Sequence, residues 1–156
     1  MTQTTFQLTP ELVKAAQAAM RSRDRDEIAK YWDPGVRFLV PGNHPYAGWR
    51  EGLDEFMSFH NKLVELSGGS IRMEMFSVLV NEDGYSIDMN RCHATRVGAA
   101  PDSTSPYDQM RFEGVDVLKW ENGRVVEGYA AIFGEGMTNW NLFLSPVTGD
   151  GHHVAV

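Results

Sequence analysis

Up to residue 66 the apolar positions recur every three to four residues, and beyond it every second residue. That change of period predicts helices first and sheet afterwards. Thr9-Pro10-Glu11 has the form of a helix start, with Thr9 as N-cap and Pro10 in the first turn; Leu12, Val13, Ala16, Ala19 and Met20 then mark one apolar stripe. The charged run from Arg21 to Glu27 turns the chain. Asp24 is the expected cap of a short second helix through Ile28, Ala29, Tyr31 and Trp32, which Asp33-Pro34-Gly35 should stop. A strand is expected over 36–40, a loop over 41–48, and a third helix over 49–66, with Leu53, Phe56, Met57, His60, Leu63 and Val64 at helical intervals. Strands are predicted over 71–80 and 85–97. A hairpin should join 110–120 to 125–133 around Glu121-Asn122-Gly123, where Asn-Gly favours a tight turn. The loop 98–107 is a candidate pocket lip. Residues 134–156 read as an irregular tail in which Trp140, Leu142 and Phe143 pack back.

Helices followed by antiparallel strands give an α+β class, in one domain at 156 residues. Strict alternation puts Tyr85, Ile87, Met89, Arg91 and His93 on one strand face, read as the inner one. Asp88, Glu113 and Glu127 are then solvent or interface charges, and Cys92 points away from the pocket.

Composition narrows the partners. A net charge of −7 repels phosphate backbones and anionic lipid, so neither nucleic acid nor a membrane is expected. No run reaches the roughly 18–20 apolar residues of a membrane helix. Residues 1–5 lack the basic start and apolar run of a signal peptide, and one cysteine cannot form an internal disulfide, so a cytoplasmic location is expected. Eight Met, eight Phe, five Tyr and four Trp suit a pocket for a hydrophobic small molecule. There is no phosphate-gripping glycine loop, no zinc spacing and no Gly-x-Ser-x-Gly elbow; His152-His153 alone is a weak metal site. The expected chemistry uses neither cofactor nor metal.

Residues 114–135, GVDVLKWENGRVVEGYAAIFGE, resemble the last hairpin of the ketosteroid isomerases and of SnoaL-like proteins in the NTF2-like superfamily. The segment 24–29 before Asp33-Pro34, and the loop-glycine-helix over 45–57, resemble the same group, so the similarity spans about 10–135. The resemblance implies an NTF2-like cone: three N-terminal helices packed on a strongly curved, mainly antiparallel sheet enclosing a pocket. The domain would cover 1–135, and 136–156 would be a partly packed, then flexible tail. It also implies a homodimer through the convex sheet face, where Val115, Val117, Tyr129, Ala131 and Phe133 would lie.

Carried over by position, Asp116 falls where the isomerases place a protonated aspartic acid in their oxyanion hole. Their oxyanion-hole tyrosine corresponds to Ala16 here and their general base to Val40, so a strict ketosteroid isomerase mechanism is not expected. The limonene-epoxide-hydrolase pattern offers Arg91, His93 and Asp116, with Phe38 and Val40 where that group positions its water.

The candidate catalytic set is Asp116, Arg91, His93 and His44: an acid or oxyanion donor, an orienting cation and two proton carriers. The plainer alternative for Asp116 and Arg91 is a structural ion pair; for the histidines, a packed or exposed ring. Candidate substrate-binding walls are Trp32, Phe38, Val40, Tyr46, Trp49, Phe56, Met57, Met75, Met89, Leu118 and Trp120. Three functions follow. The first is a cofactor-independent cyclase, isomerase or lyase acting on a hydrophobic oxygenated molecule such as a polyketide or terpenoid intermediate of secondary metabolism. The second is epoxide opening or epoxide-derived ring closure; the third is a non-catalytic binding or scaffold module.

Overall fold

The computed structural model describes residues 6–145. The first helix begins as its sequence signals. The Thr9 hydroxyl accepts the Leu12 N–H, Pro10 opens α1 (Pro10–Ser22), and Val13, Ala16 and Met20 turn inward. The Asp24 carboxylate caps α2 (Arg25–Ile28) by accepting the Asp26 and Glu27 N–H groups. This helix is shorter than expected. The Val125 N–H donates to the Tyr31 carbonyl at 2.8 Å, so the sheet claims Trp32, and β1 runs over Trp32–Val40. Asp33-Pro34-Gly35 does not break that strand. It forms an irregularity in it, where pairing with the neighbouring strand shifts between Trp32 and Arg37.

The expected third helix also loses its first turn. Gly48–Glu51 forms β2 against β1, and Gly52, at φ 93°, makes the sharp entry into α3 (Leu53–Leu66). Four longer strands follow: β3 (Arg72–Val80), β4 (Tyr85–Thr95), β5 (Gln109–Glu121) and β6 (Arg124–Ile132). The former tail supplies a fourth helix, α4 (Glu135–Phe143). It lies on β5 and buries Trp140 and Phe143, so the packed structure runs past residue 135. His152 and His153 lie outside the described residues.

The sheet is open, in the order β2-β1-β6-β5-β4-β3, and every pairing is antiparallel except β1 with β6. The fold is therefore α+β, with a curved, unclosed sheet around the core. Register shifts between Met75 and Ser77 and between Lys119 and Trp120 sharpen its bend.

The inner face of β4 is the opposite of the one expected. Ser86, Asp88, Asn90, Cys92 and Ala94 are buried, while Arg91 and His93 are exposed on the convex side. Met89 lies on that side too. Arg91 donates from Nε to Glu113 at 2.8 Å, and its guanidinium lies 4.4 Å from the Phe76 ring centroid. It therefore makes a surface ion pair and does not orient Asp116. Both partners are about half exposed, and solvent and salt screen such pairs. Arg91→Ala should accordingly leave the urea midpoint close to that of the parent protein. A large drop in the midpoint would contradict this placement.

Tyr129 and Phe133, expected on the convex face, are 41% and 52% exposed. No helix among the described residues is long and apolar enough to cross a membrane.

Candidate active site

The register of β4 and β5 places Asp88 directly opposite Asp116, on the concave face. Two carboxyls thus sit side by side under the helical layer, where water cannot spread their charge. A single group joins them. Gln17 Nε2, from the buried stripe of α1, donates to Asp88 Oδ2 at 3.2 Å and to Asp116 Oδ2 at 3.1 Å. The two N–H groups of one amide match two carboxyls.

The partners of the pair are unequal. Asp88 is fully buried, and it accepts a second hydrogen bond, from Asn90 Nδ2 at 2.7 Å, and feels the positive charge of Arg21. Burial raises its pKa above the ordinary carboxylate value, and these hydrogen bonds pull the other way. Among the described residues Asp116 accepts a side-chain hydrogen bond from Gln17 alone. Burial first, and the Asp88 charge second, hold its pKa well above the ordinary value. Of the two, Asp116 is pushed further toward its protonated form, because Asp88 has more donors to stabilise its charge. Elsewhere in this layer, Trp120 Nε1 donates to Ser86 Oγ at 2.8 Å and Trp32 Nε1 to the Ala16 carbonyl at 3.0 Å.

Asp116 faces a cavity of about 70 Å³ whose other walls are mostly apolar, and Gln17, Asn90 and His60 reach it. His60 comes from α3. Its ring meets Phe56 edge-on at 4.7 Å, and among the described residues it makes no hydrogen bond. Burial drops its pKa from 6.5 to about 4, so it is a neutral imidazole at pH 7. Of the expected walls, Trp32, Phe38, Val40 and Phe56 line the cavity. Phe38 stacks on Phe56 at 4.2 Å and Val40 is buried, so neither position supplies a polar group to hold an epoxide-opening water. Leu118 belongs to the core, and Trp120 and Met75 stay outside the cavity wall, as do Tyr46 and Met57. Trp49 is 40% exposed beneath the Arg37 guanidinium. Cys92 faces inward and lines the cavity, but burial pushes its thiol up to about 12, which leaves it unreactive.

His44 is buried and fully committed. One ring nitrogen accepts the Tyr46 N–H at 3.1 Å, and the other donates to the Pro41 carbonyl at 2.9 Å. The ring packs edge-on against Trp140, and burial lowers its pKa. It fastens the loop and has no free nitrogen to move a proton. Of the four expected catalytic residues, only Asp116 faces the cavity. Gln17, His60, Asp88 and Asn90 were not expected there. Gln17 and His60 carried a signal, as polar residues standing on the apolar stripes of their helices. Among the described residues, no group of three or more His, Cys, Asp or Glu could hold a metal ion.

These shifts make stability depend on pH in opposite senses. Raised carboxyl pKa values mean the folded chain keeps protons that the unfolded chain has released, so the dyad's contribution falls as pH rises above about 4. For His60 the unfolded chain binds the extra proton between about 4 and 6.5, so its contribution rises across that window, by up to about 3 kcal/mol. Between pH 4 and 6.5, Asp116→Asn should therefore gain stability with pH more steeply than the parent protein, as read from urea midpoints. An equal or shallower slope would contradict the raised pKa of Asp116.

Known proteins carry the same architecture. A stretch of 92 residues is 30% identical to the uncharacterized protein Rv0034 of Mycobacterium tuberculosis, covering 59% of this chain and 70% of that protein. Bal32a, from a soil-derived mobile gene cassette, superposes with a TM-score of 0.74 at 23% identity, over 86% of this chain and 94% of its own. An NTF2-like protein of Burkholderia pseudomallei gives 0.67 at 16% identity, over 87% and 96%. A putative SnoaL-like polyketide cyclase from Jannaschia sp. CCS1 gives 0.60 at 16% identity, over 81% and 90%. At these identities the structural likeness establishes the fold and no more. The sequence match reaches further: residues 13–128 fit the SnoaL-like domain family, and the chain belongs to it.

Proposed function

We propose that the protein is a cofactor-independent acid–base enzyme acting on a hydrophobic carbonyl compound, with Asp116 as acid and His60 as base. One observation carries this reading: two carboxyls lie side by side, bridged by Gln17, and one of them, Asp116, faces a mostly apolar cavity where burial and its neighbour's charge both oppose its ionisation. Such a group costs stability and is common at sites that need a hydrogen-bond donor of tuned acidity.

In the proposed step a substrate carbonyl oxygen accepts a hydrogen bond from the Asp116 carboxyl. A neutral His60 nitrogen takes a proton from the adjacent carbon. The C–H electron pair enters a new C=C bond, and the C=O pair moves onto oxygen, where Asp116 stabilises it. Return of the proton at another carbon gives isomerisation; attack of the enolate carbon on an electrophile in the same molecule gives ring closure. Asp88, Gln17 and Asn90 are positioning residues that set how strongly Asp116 holds its proton. The putative SnoaL-like polyketide cyclase from Jannaschia is compatible with this class of reaction.

The test is proton exchange at carbon. Octyl methyl ketone in D2O with the protein should lose its α-proton NMR signals faster than in buffer, and the acceleration should depend on Asp116. No acceleration of this ketone or of a cyclic analogue would overturn the reading and favour a binding module.

A further inference from the structure

A volume of about 70 Å³ admits only the reacting end of a substrate, since one water alone needs about 10–15 Å³ and drug-sized ligands need several hundred. The rest must lie elsewhere. A groove of about 480 Å³ shares Gln17, His60, Leu63, Ile71 and Met73 with the cavity wall. It runs between the end of α1, the end of α3 and the start of β3. Its floor is mostly apolar, and among the described residues its rim carries three arginines and no acidic side chain: Arg21 in the last turn of α1, Arg23 at its C-cap, and Arg72 at the head of β3.

That rim is unusual for this chain, which has 21 acidic residues against 14 Lys and Arg. Most of its other cations answer an acid: Arg25 pairs with Asp54, Arg37 with Glu51, Lys62 with Glu65 and Arg91 with Glu113. Among the described residues the Arg21 and Arg23 side chains make no ion pair or hydrogen bond, and Arg21 acts on Asp88 only through its charge, beyond ion-pair distance. Arg72 Nη1 donates to the Gly69 and Ile71 carbonyls at 3.0 and 2.8 Å, and among the described residues its guanidinium makes no ion pair. Nearby Asp24 accepts the α2 cap bonds through Oδ1 and makes no ion pair with Arg21 or Arg23 among the described residues.

We propose that the substrate is a hydrophobic molecule bearing a carboxylate, its chain in the groove, its anionic end on Arg21, Arg23 and Arg72, and its reacting end in the cavity. This deepens the acid–base reading by naming the substrate class, and it rests on that reading only for which end reacts. Guanidinium groups bind carboxylates through paired charge-assisted hydrogen bonds, and the apolar floor suits an acyl chain.

Calorimetric titration with decanoate and with decanol compares two ligands of equal chain and different head. Decanoate should bind at least about 10-fold more tightly at low salt, and the preference should shrink as salt rises. In the Arg21→Gln/Arg23→Gln variant, the two ligands should bind within about 2-fold of one another, with unchanged circular dichroism. Arginines that only complement the α1 dipole would lower the variant's melting temperature and leave the ligands equal in the parent protein. Equal binding, or a preference untouched by salt and by the variant, overturns the proposal. Asp116→Asn keeps the acid preference under this proposal, so a failed proton-exchange test and a failed anion test remain distinguishable.

Discussion

Asp116→Asn should lower α-proton exchange of octyl methyl ketone by about 10²–10³-fold while raising resistance to urea at neutral pH. The first effect follows from removing the acid. An amide fits the same space and still meets Gln17, but it is a far poorer proton donor to an oxygen gaining charge, and loss of one such donor costs about this much. The second follows from the dyad. Burial and the Asp88 charge both oppose ionisation of Asp116, so the native state carries a penalty that an uncharged Asn lacks. The opposite signs make the result hard to mistake for misfolding, which lowers both. They also express a general conflict, since strained electrostatics at an active site are kept at the expense of stability. NMR exchange rates and urea midpoints on the same samples decide it. A variant that is both less active and less stable would show Asp116 to be chiefly structural. A variant with full exchange activity would remove it from the chemistry.

The element order was legible because amphipathic period and turn chemistry act locally. Thr9, Asp24 and Asn122-Gly123 each produced the cap or turn that their side chains favour, and the family resemblance supplied the curved sheet. The inner face of β4 was not legible, for a physical reason. Tyr85, Ile87 and Met89 look like the buried line of a strand, and Ser86, Asp88 and Asn90 like the wet one. In this fold the convex side carries apolar residues as well, and the polar line turns inward because its members satisfy one another: Ser86 with Trp120, Asp88 with Gln17 and Asn90. A one-residue change of parity moves every side chain to the other face, so Arg91 and His93 left the site together while Asp88 and Cys92 entered it. Asp116 survived because the hairpin fixed its own strand. Its cross-strand partner needed the β4–β5 register, a long-range fact that no local pattern contains. The shortened α2 and the β2 strand have the same origin, since pairing with β6 and β1 overrode helical spacing at Trp32 and Trp49.

Gly114→Ala should be the most damaging small substitution in the sheet, costing about 1–3 kcal/mol and lowering the melting temperature by several degrees. Gly114 pairs with Asn90 on one side and Ile132 on the other, beside the cavity floor. A Cβ there would meet the Ala131 carbonyl oxygen at 2.4 Å and the Ile132 Cα at 3.2 Å. Both are backbone atoms of β6, which cannot swing aside as a side chain can. The bend that makes the concave face has carried β6 inward over β5, and only glycine leaves room for that approach. Relieving the clash requires β6 to move outward, which flattens the sheet beneath Asp116 and loosens the pocket walls at Ala130 and Ile132. Gly128→Ala is the informative contrast. Its Cβ would meet the buried Leu118 and Phe38 side chains, at 2.8 and 2.9 Å, so its cost is that of shifting core side chains and not of moving a paired strand, and it should be the smaller. Thermal unfolding of the two variants should rank Gly114→Ala as the less stable, with ketone exchange falling alongside it. A Gly114→Ala protein as stable as the parent would show that the sheet reaches its curvature without this close approach, leaving the bulges at Met75 and Lys119 to produce it.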